Sequence, residues 1–229
     1  MALLVRSWNL YHGNASPPRR RSFLHEMVAL ATADAPDVVC LQEIPVWALG
    51  RLSSWSGMKV FPAVARPGLR PAQLAGWITR VNNGLLRSGI SGQANAILVR
   101  AEHPSRDLGA AQVSDSGVER RVCQAVDVSG ATLVVNMHLS SSGDDQRLEL
   151  DRAVAFAETC TGPAETMVLA GDLNLRDVRL AGFSSPGPGI DHVLVRGAPA
   201  GMLVVWPEER RRQNGVVLSD HAPVELEVG

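Results

Sequence analysis

Residues 166–177 read TMVLAGDLNLRD, and the point where this run changes character decides the fold. Side chains alternate across a strand, so Val168, Ala170, Asp172 and Asn174 share one face while Leu169, Gly171 and Leu173 share the other. The first face turns from apolar to polar at its C-terminal end. A carboxylate and an amide two residues apart at a strand end can both reach one small target, such as a water and the phosphate it attacks. Asp172 and Asn174 are also common turn residues, so this segment alone leaves both uses open.

Working outward, GDDQRLELDRAVAFAETC (143–160) reads as an amphipathic helix with Leu148, Ala153, Phe156 and Ala157 on one side and acids in its first turn. Before it, ATLVVNMHLSS (131–141) is a strand with Leu133, Val135, Met137 and Leu139 on one face and Asn136 and His138 on the other. NAILVR (95–100) and RVCQAVDV (121–128) are further strands, and Ser129-Gly130 is a turn. The chain opens as a βαβ unit: ALLVRSWNL (2–10), the helix RSFLHEMVALATAD (21–34), then DVVCLQEI (37–44). The middle reads as a short helix in VWALGRLSSW (46–55), a strand MKVFPAVA (58–65) interrupted by Pro62, and a helix or helix and loop over 71–89. FSSPGPG (183–189) is a loop, and DHVLVRG, MLVVWP and APVELEV are strands. About ten strands, mostly in hairpins with a few helices between, predict two packed mixed sheets with helices outside.

With 229 residues, 45% of them apolar, the chain suits one domain over 1–229 better than two small ones. A net charge of −1 and a pI near 6.6 argue against a strongly basic groove, although a local arginine patch suffices to hold phosphate. Lys59 is the sole lysine, a compositional bias first and a phosphate-recognition signal second. Cys40, Cys123 and Cys160 are widely separated and read as inert thiols. No leader-like opening and no apolar run near the ~20 residues of a membrane span are present, so a soluble, cytoplasmic protein without a transmembrane segment is expected.

DVVCLQEI ends in Gln42 and Glu43, and a glutamate there is costly if buried unpaired, so it wants an arginine or a metal cation. Asn9, ending the first strand, would offer a neutral oxygen to the same ion, because parallel neighbours finish at one edge. Its plainer use is a turn hydrogen bond. Asp191 opens a strand and needs a histidine partner, since a carboxylate can orient an imidazole and hold it charged. His221, in SDHAPV, is the natural candidate. His192 reads as a packing residue, and His138 by itself as a satisfied half-buried one. Carboxylates, amides and histidines gathered at strand ends form a hard-cation phosphoryl-transfer composition. Oxygen donors dominate and no cysteine pairs with a histidine at zinc spacing, so Mg²⁺ or Mn²⁺ is the expected cofactor.

Five motifs in order resemble the endonuclease/exonuclease/phosphatase superfamily in its deoxyribonuclease I-like and exonuclease III-like branches: WN (8–9), LQE (41–43), HLSS (138–141), GDLN (171–174) and SDHAPV (219–224). The resemblance spans nearly the whole chain and implies a four-layered α/β/β/α sandwich of two mixed β-sheets with its site at one end. It implies Glu43 as the main metal ligand, helped by Asn9 and Asp220. Asp172 would orient or deprotonate the attacking water, with Asn174 positioning it or the phosphate. His221, steadied by Asp191, would contact the scissile phosphate, and His138 would lie near the leaving oxygen. It also implies that Asn95, in GQANAILVR, lines the cleft, and that Arg147 faces the site or braces its loop. The first motif departs from the WN-x-D of abasic-site endonucleases, since Leu10 and Tyr11 follow Trp8-Asn9. That brings the match closer to the deoxyribonuclease and sphingomyelinase side.

The first functional reading is therefore a monomeric divalent-metal-dependent phosphodiesterase cleaving DNA as an endonuclease or exonuclease. A phosphatase or phosphodiesterase acting on a lipid or small phosphorylated metabolite is the second, and a binding module without turnover the third. Arg19, Arg20 and Arg21 would grip a nucleic-acid backbone or polyanionic headgroup, unless they are a solvated helix start. Tyr11, Trp47 and Trp77 offer stacking surfaces, with packing the plainer use of each tryptophan.

Overall fold

The computed structural model describes residues 2–69, 71–81, 90–115, 120–141, 145–161, 166–184 and 187–229. Its elements run β1 (Leu3–Asn9), β2 (Ala15–Ser16), α1 (Leu24–Thr32), β3 (Val38–Ile44), α2 (Leu52–Ser56), β4 (Lys59–Arg66) and α3 (Ala72–Val81). They continue β5 (Gln93–Val99), β6 (Ser105–Gln112), β7 (Val122–Val128), β8 (Thr132–His138), α4 (Asp145–Cys160) and β9 (Thr166–Asp172). The last are β10 (Asp191–Arg196), β11 (Val204–Val205), β12 (Arg212–Gln213), β13 (Val216–Leu218) and β14 (Val224–Val228). Of the helix, or helix and loop, expected over 71–89, α3 covers Ala72–Val81, and 82–89 lie outside the described residues.

One six-stranded sheet has the order β11-β14-β1-β3-β5-β4, a five-stranded sheet has β10-β9-β8-β7-β6, and β12-β13-β2 form a small third sheet. Both large sheets are mixed: β1 pairs parallel with β3 and β8 with β9, while their other neighbours are antiparallel. Strand alternation then sorts the side chains into three apolar layers. Val5, Cys40, Ile97, Val134, Val168, Val193 and Leu226 fill the space between the sheets. Trp8, Leu41 and Leu98 pack outward on Leu24, Met27 and Val28 of α1. Leu133, Val135, Met137 and Leu169 pack outward on Leu150, Ala153 and Ala157 of α4. The result is the expected α/β/β/α sandwich. Each such Val or Leu removed from water contributes about 1.5–3 kcal/mol, which makes these layers the main source of stability.

Three details differ from the sequence reading. Leu148 is exposed, because the buried stripe of α4 runs through Gln146, Glu149, Leu150, Ala153 and Ala157. β4 is not interrupted at Pro62, which pairs with Ala96 in an edge strand where the missing N–H is tolerated. β6, SRDLGAAQ, is a mostly exposed edge strand that no apolar alternation announces. Cys40 and Cys123 are buried, and burial raises both thiols far above their ordinary range, as suits inert residues.

A polar clasp joins the sheets beneath their common edge. Gln42 donates to Asn136 Oδ1 at 2.8 Å and to Ser7 Oγ at 3.1 Å, while Asn136 donates to the carbonyls of Leu41 and Ala96 at 3.0 Å. Every one of these residues is buried, so losing one partner would strand another polar group. Between β8 and β9 the approach is so close that only glycine fits: at Gly171, φ is +146°, and an added Cβ would lie 1.9 Å from the carbonyl oxygen of Met137.

Candidate active site

Register brings the polar strand ends together. His138 pairs with Asp172 across β8–β9, and Asp172 with Asp191 across β9–β10, so three functional side chains sit on neighbouring strands at one edge. In the facing sheet Asn9 pairs with Gln42, which puts Glu43 one residue further along. The β3–β5 ladder slips between Leu41 and Ile44, and Glu43 takes a left-handed backbone with φ 53° at that slip. The SDH segment is tied to the end of β1: Ser219 Oγ donates to the Asn9 carbonyl at 2.7 Å, and Trp8 Nε1 donates to the His221 carbonyl at 2.9 Å.

Asp172 is at the centre. Its Oδ2 accepts from Asn9 Nδ2 at 2.9 Å and lies 3.5 Å from His138 Nε2 and 3.7 Å from His221 Nε2. Its Oδ1 accepts the backbone N–H of Asn174 at 3.1 Å. Burial, with the nearby charge of Asp191, pushes its carboxyl up to about 6. Burial likewise pushes Glu43 up to about 7, with the charges of Asp172 and Asp220 adding to it. Glu43 lies 3.4 Å from His12 Nε2 and 3.9 Å from His138 Nε2.

The two histidines behave oppositely. His221 Nδ1 lies 2.8 Å from Asp191 Oδ2. Burial opposes its charged form, but that hydrogen bond and the charges of Asp191, Asp172 and Asp220 outweigh burial and raise it to about 9. His138 is driven well below its ordinary 6.5, first by burial and then by the Arg121 guanidinium. Gln93 Nε2 and Arg121 Nη1 stand 3.0 and 2.9 Å from its Nδ1. Arg121 Nη1 also stands 3.0 Å from Nε2, so the guanidinium sits against both ring nitrogens and holds the ring neutral.

The expected residues are thus sorted by geometry. Asn9, Glu43, His138, Asp172, Asp191 and His221 form one cluster. Asn174 adjoins it, its side chain donating to the Leu139 carbonyl at 3.0 Å while its backbone holds Asp172. Asp220 is exposed beside it and borders two cavities of about 290 and 260 Å³. Asn95 is not in the cluster: it is buried between the sheets and donates to the Val122 carbonyl at 3.0 Å. Arg147 is exposed on α4, and the loop after β8 is held instead by Glu149, which accepts from Ser140 N and Oγ at 2.7 Å. His192 packs as expected, buried against the Leu175 carbonyl. Trp77 is exposed on α3, and Trp47 packs against Gly76. Sequence reasoning missed His12, Gln93 and Arg121. Arg121 leads into β7 as Gln93 leads β5, and the edge shared by strand ends was the available signal.

The half-buried Glu43 and the buried Asp172 face each other's charge with no Arg or Lys paired to either among the described residues. That donor set fits a hard divalent cation. Asp172, Asp191 and His221 also have ligand atoms within 4.8 Å of one another, although His221 Nδ1 is taken by Asp191. A second acid–imidazole group, Asp37, Glu102 and His103, lies at the other end of β3, where Arg100 already pairs with both acids.

Two mixed sheets packed face to face, with carboxylates and imidazoles converging at one edge, define a deoxyribonuclease I-like protein. Residues 7–221 match the Endonuclease/Exonuclease/phosphatase family, and the chain belongs to that family, whose members are metal-dependent hydrolases of phosphoester bonds. Among solved structures it is similar to an endonuclease/exonuclease/phosphatase from Beutenbergia cavernae DSM 12333, with 18% identity and a TM-score of 0.70 over 99% of this chain and 71% of that one. It is similar to a functionally unknown conserved protein from Enterococcus faecalis V583, with 14% identity and a TM-score of 0.72 over 99% of both chains. TDP2 from C. elegans matches with 16% identity and a TM-score of 0.68 over 100% of this chain and 75% of that one. No curated protein matches the chain.

Proposed function

We propose that this protein is a divalent-metal-dependent phosphodiesterase that cleaves DNA, working as a monomeric single domain in the cytoplasm. The observation that carries the reading is the placement of Asp172 Oδ2 3.7 Å from His221 Nε2, whose Nδ1 lies 2.8 Å from Asp191: burial raises Asp172 to about 6 and Asp191 holds His221 up to about 9, so a base faces a cation. Pairs of titratable groups pushed to opposite roles by their surroundings mark acid and base assignments.

In this reading Glu43, with Asn9 and Asp220, holds Mg²⁺ or Mn²⁺. When bound, the cation neutralises phosphate charge and stabilises the oxygen that leaves. Asp172, fixed by Asn9 and by the Asn174 backbone, orients the attacking water and accepts its proton. Oxygen from that water bonds to phosphorus as the bond to the leaving oxygen breaks. The His221 imidazolium, aligned by Asp191, donates to a phosphoryl oxygen and offsets its growing charge. His138, neutral, hydrogen-bonds the leaving oxygen. The family membership supports phosphoester hydrolysis. The exposed Arg19–Arg21 loop supports a polyanionic substrate, because Ser16 and Pro17 just before it share the 260 Å³ cavity with Asp220. No helix among the described residues is long and apolar enough to cross a membrane.

The test is nicking of supercoiled plasmid with Mg²⁺ or Mn²⁺, with Asp172→Ala and His221→Ala in parallel, beside single-stranded DNA, RNA and phosphorylated lipids. Metal-dependent nicking lost in both variants is the expected result. Silence on nucleic acids with turnover of a lipid or of a bis-aryl phosphodiester would move the substrate to the second class, and equal behaviour of wild type and variants would overturn the catalytic reading.

A further inference from the structure

We infer that His12 is a nitrogen donor to the cation held at Glu43, which makes the site select Mn²⁺ or Co²⁺ over Mg²⁺. The inference rests on the reading of Glu43 as metal ligand.

His12 is 6% exposed, and its Nε2 lies 3.4 Å from Glu43 Oε2. It is held there by a backbone that non-glycine residues avoid: Tyr11, His12 and Gly13 are left-handed in succession, with φ of 49°, 52° and 78°. The turn is locked from both sides. Asn9 Oδ1 accepts the Tyr11 N–H at 2.9 Å, and Gly13 N donates to the Leu10 carbonyl at 2.7 Å. Gly13 is seated so tightly on α1 that a Cβ would fall 2.4 Å from Leu24 Cγ. Strain of this kind persists only where surrounding contacts over-determine it, and here it carries an imidazole to the acid expected to bind metal.

The other two imidazoles of the cluster face other charged groups. His138 has the Arg121 guanidinium 2.9 Å from Nδ1 and 3.0 Å from Nε2, a cation that repels a metal at either nitrogen. His221 Nδ1 is engaged by Asp191, and its Nε2 faces Asp172. His12 alone among the described histidines puts a ring nitrogen within 3.5 Å of Glu43. Mg²⁺ takes oxygen ligands and dehydrates reluctantly, whereas first-row transition ions accept imidazole. One such nitrogen beside a carboxylate turns a site otherwise suited to Mg²⁺ into one that discriminates.

The experiment is calorimetric titration of metal-stripped protein with MgCl₂, MnCl₂ and CoCl₂, for wild type, His12→Gln and Glu43→Gln, with pulsed EPR of the Mn²⁺ forms. Wild type should display ¹⁴N modulation from a bound imidazole, and His12→Gln should lose it. Its Mn²⁺ affinity should fall at least about tenfold, the loss that removing even an outer-sphere partner produces, while Mg²⁺ affinity changes less than about threefold. Wild type without nitrogen modulation overturns the inference whether or not His12→Gln folds. So does an unchanged preference between the ions in folded His12→Gln while Glu43→Gln no longer binds metal; the reading of Glu43 then survives. Retained Mn²⁺ binding in Glu43→Gln removes that reading, and the inference with it.

Discussion

Replacing Asp191 by asparagine should discharge His221. The carbonyl oxygen of asparagine can occupy the place of Oδ2, 2.8 Å from Nδ1, so the hydrogen bond survives while the charge is lost. In the wild type that bond and that charge are the largest influences lifting His221 from 6.5 to about 9 against burial. The lift is worth about 3 kcal/mol, at about 1.4 kcal/mol per pH unit. More than about nine-tenths of His221 is therefore protonated at pH 7.5 in the wild type, against less than about a fifth if the variant titrates towards its ordinary value. The direct assay is a ¹H–¹³C NMR titration of the imidazole Cε1–H, assigned with His221→Gln. The linked assay is urea unfolding across pH. A histidine raised in the folded state contributes stability that is fully present below its unfolded value and lost as pH rises through the folded one. Wild-type stability should thus fall between pH 7 and 9, above the windows in which Asp172 and Glu43 titrate, and the Asp191→Asn curve should be flatter there. A His221 midpoint that stays above about 8 in the variant would refute the assignment of the charge to Asp191.

Asp172→Asn should lower plasmid nicking by about 10²–10⁴-fold, the range for a general base, with circular dichroism unchanged. Glu43→Gln should stabilise the metal-free protein: an acid whose folded value is raised from 4.5 to about 7 loses stability as pH rises through that interval, so the neutral variant should gain up to about 3 kcal/mol at pH 8 and nothing below pH 4.5. Chemical denaturation in a chelator measures it, and equal stability at pH 8 would count against the burial of that charge. Gly171→Ala should cost more than about 3 kcal/mol or prevent folding, since its Cβ meets the Met137 carbonyl oxygen at 1.9 Å. A melting temperature within a few degrees of wild type would mean that β8 and β9 can separate locally.

What the sequence discloses tracks how local the cause is. The β9 face assignment holds because alternation needs no partner: Val168 and Ala170 enter the inter-sheet layer while Leu169 and Leu173 face α4. Asp191 finds His221 because a carboxylate at a strand start has few useful partners, and the pair lies 2.8 Å apart. Asn95 had its answer in the same rule. It shares a face with Ile97 and Val99, both inter-sheet residues, so it points into the sandwich and not towards the cleft. Leu148 was misplaced because the buried stripe of α4 includes Gln146 and Glu149, and polar core residues hide the phase of a helix. Gln93 reaches His138 only through the packing of one sheet on the other, which no local pattern encodes, and Arg121 reaches it from the start of β7, the strand beside β8, by a pairing that long-range topology sets.

Backbone conformation explains why the site escapes local rules more than the core does. Eight described non-glycine residues have positive φ, and five of them, Tyr11, His12, Glu43, Asn174 and Ser219, surround this one edge. Each left-handed residue costs of order 1 kcal/mol, and the half-buried Glu43 and buried Asp172 among and beside them are further destabilising. A glycine at any of the five would relieve strain, yet glycine could not supply the imidazole of His12, the carboxylate of Glu43 or the hydroxyl by which Ser219 binds Asn9. The side chains are therefore kept against the local preference of the chain. The three apolar layers beneath them offset that cost, and a stable sandwich here is a precondition for a strained, acid-rich edge.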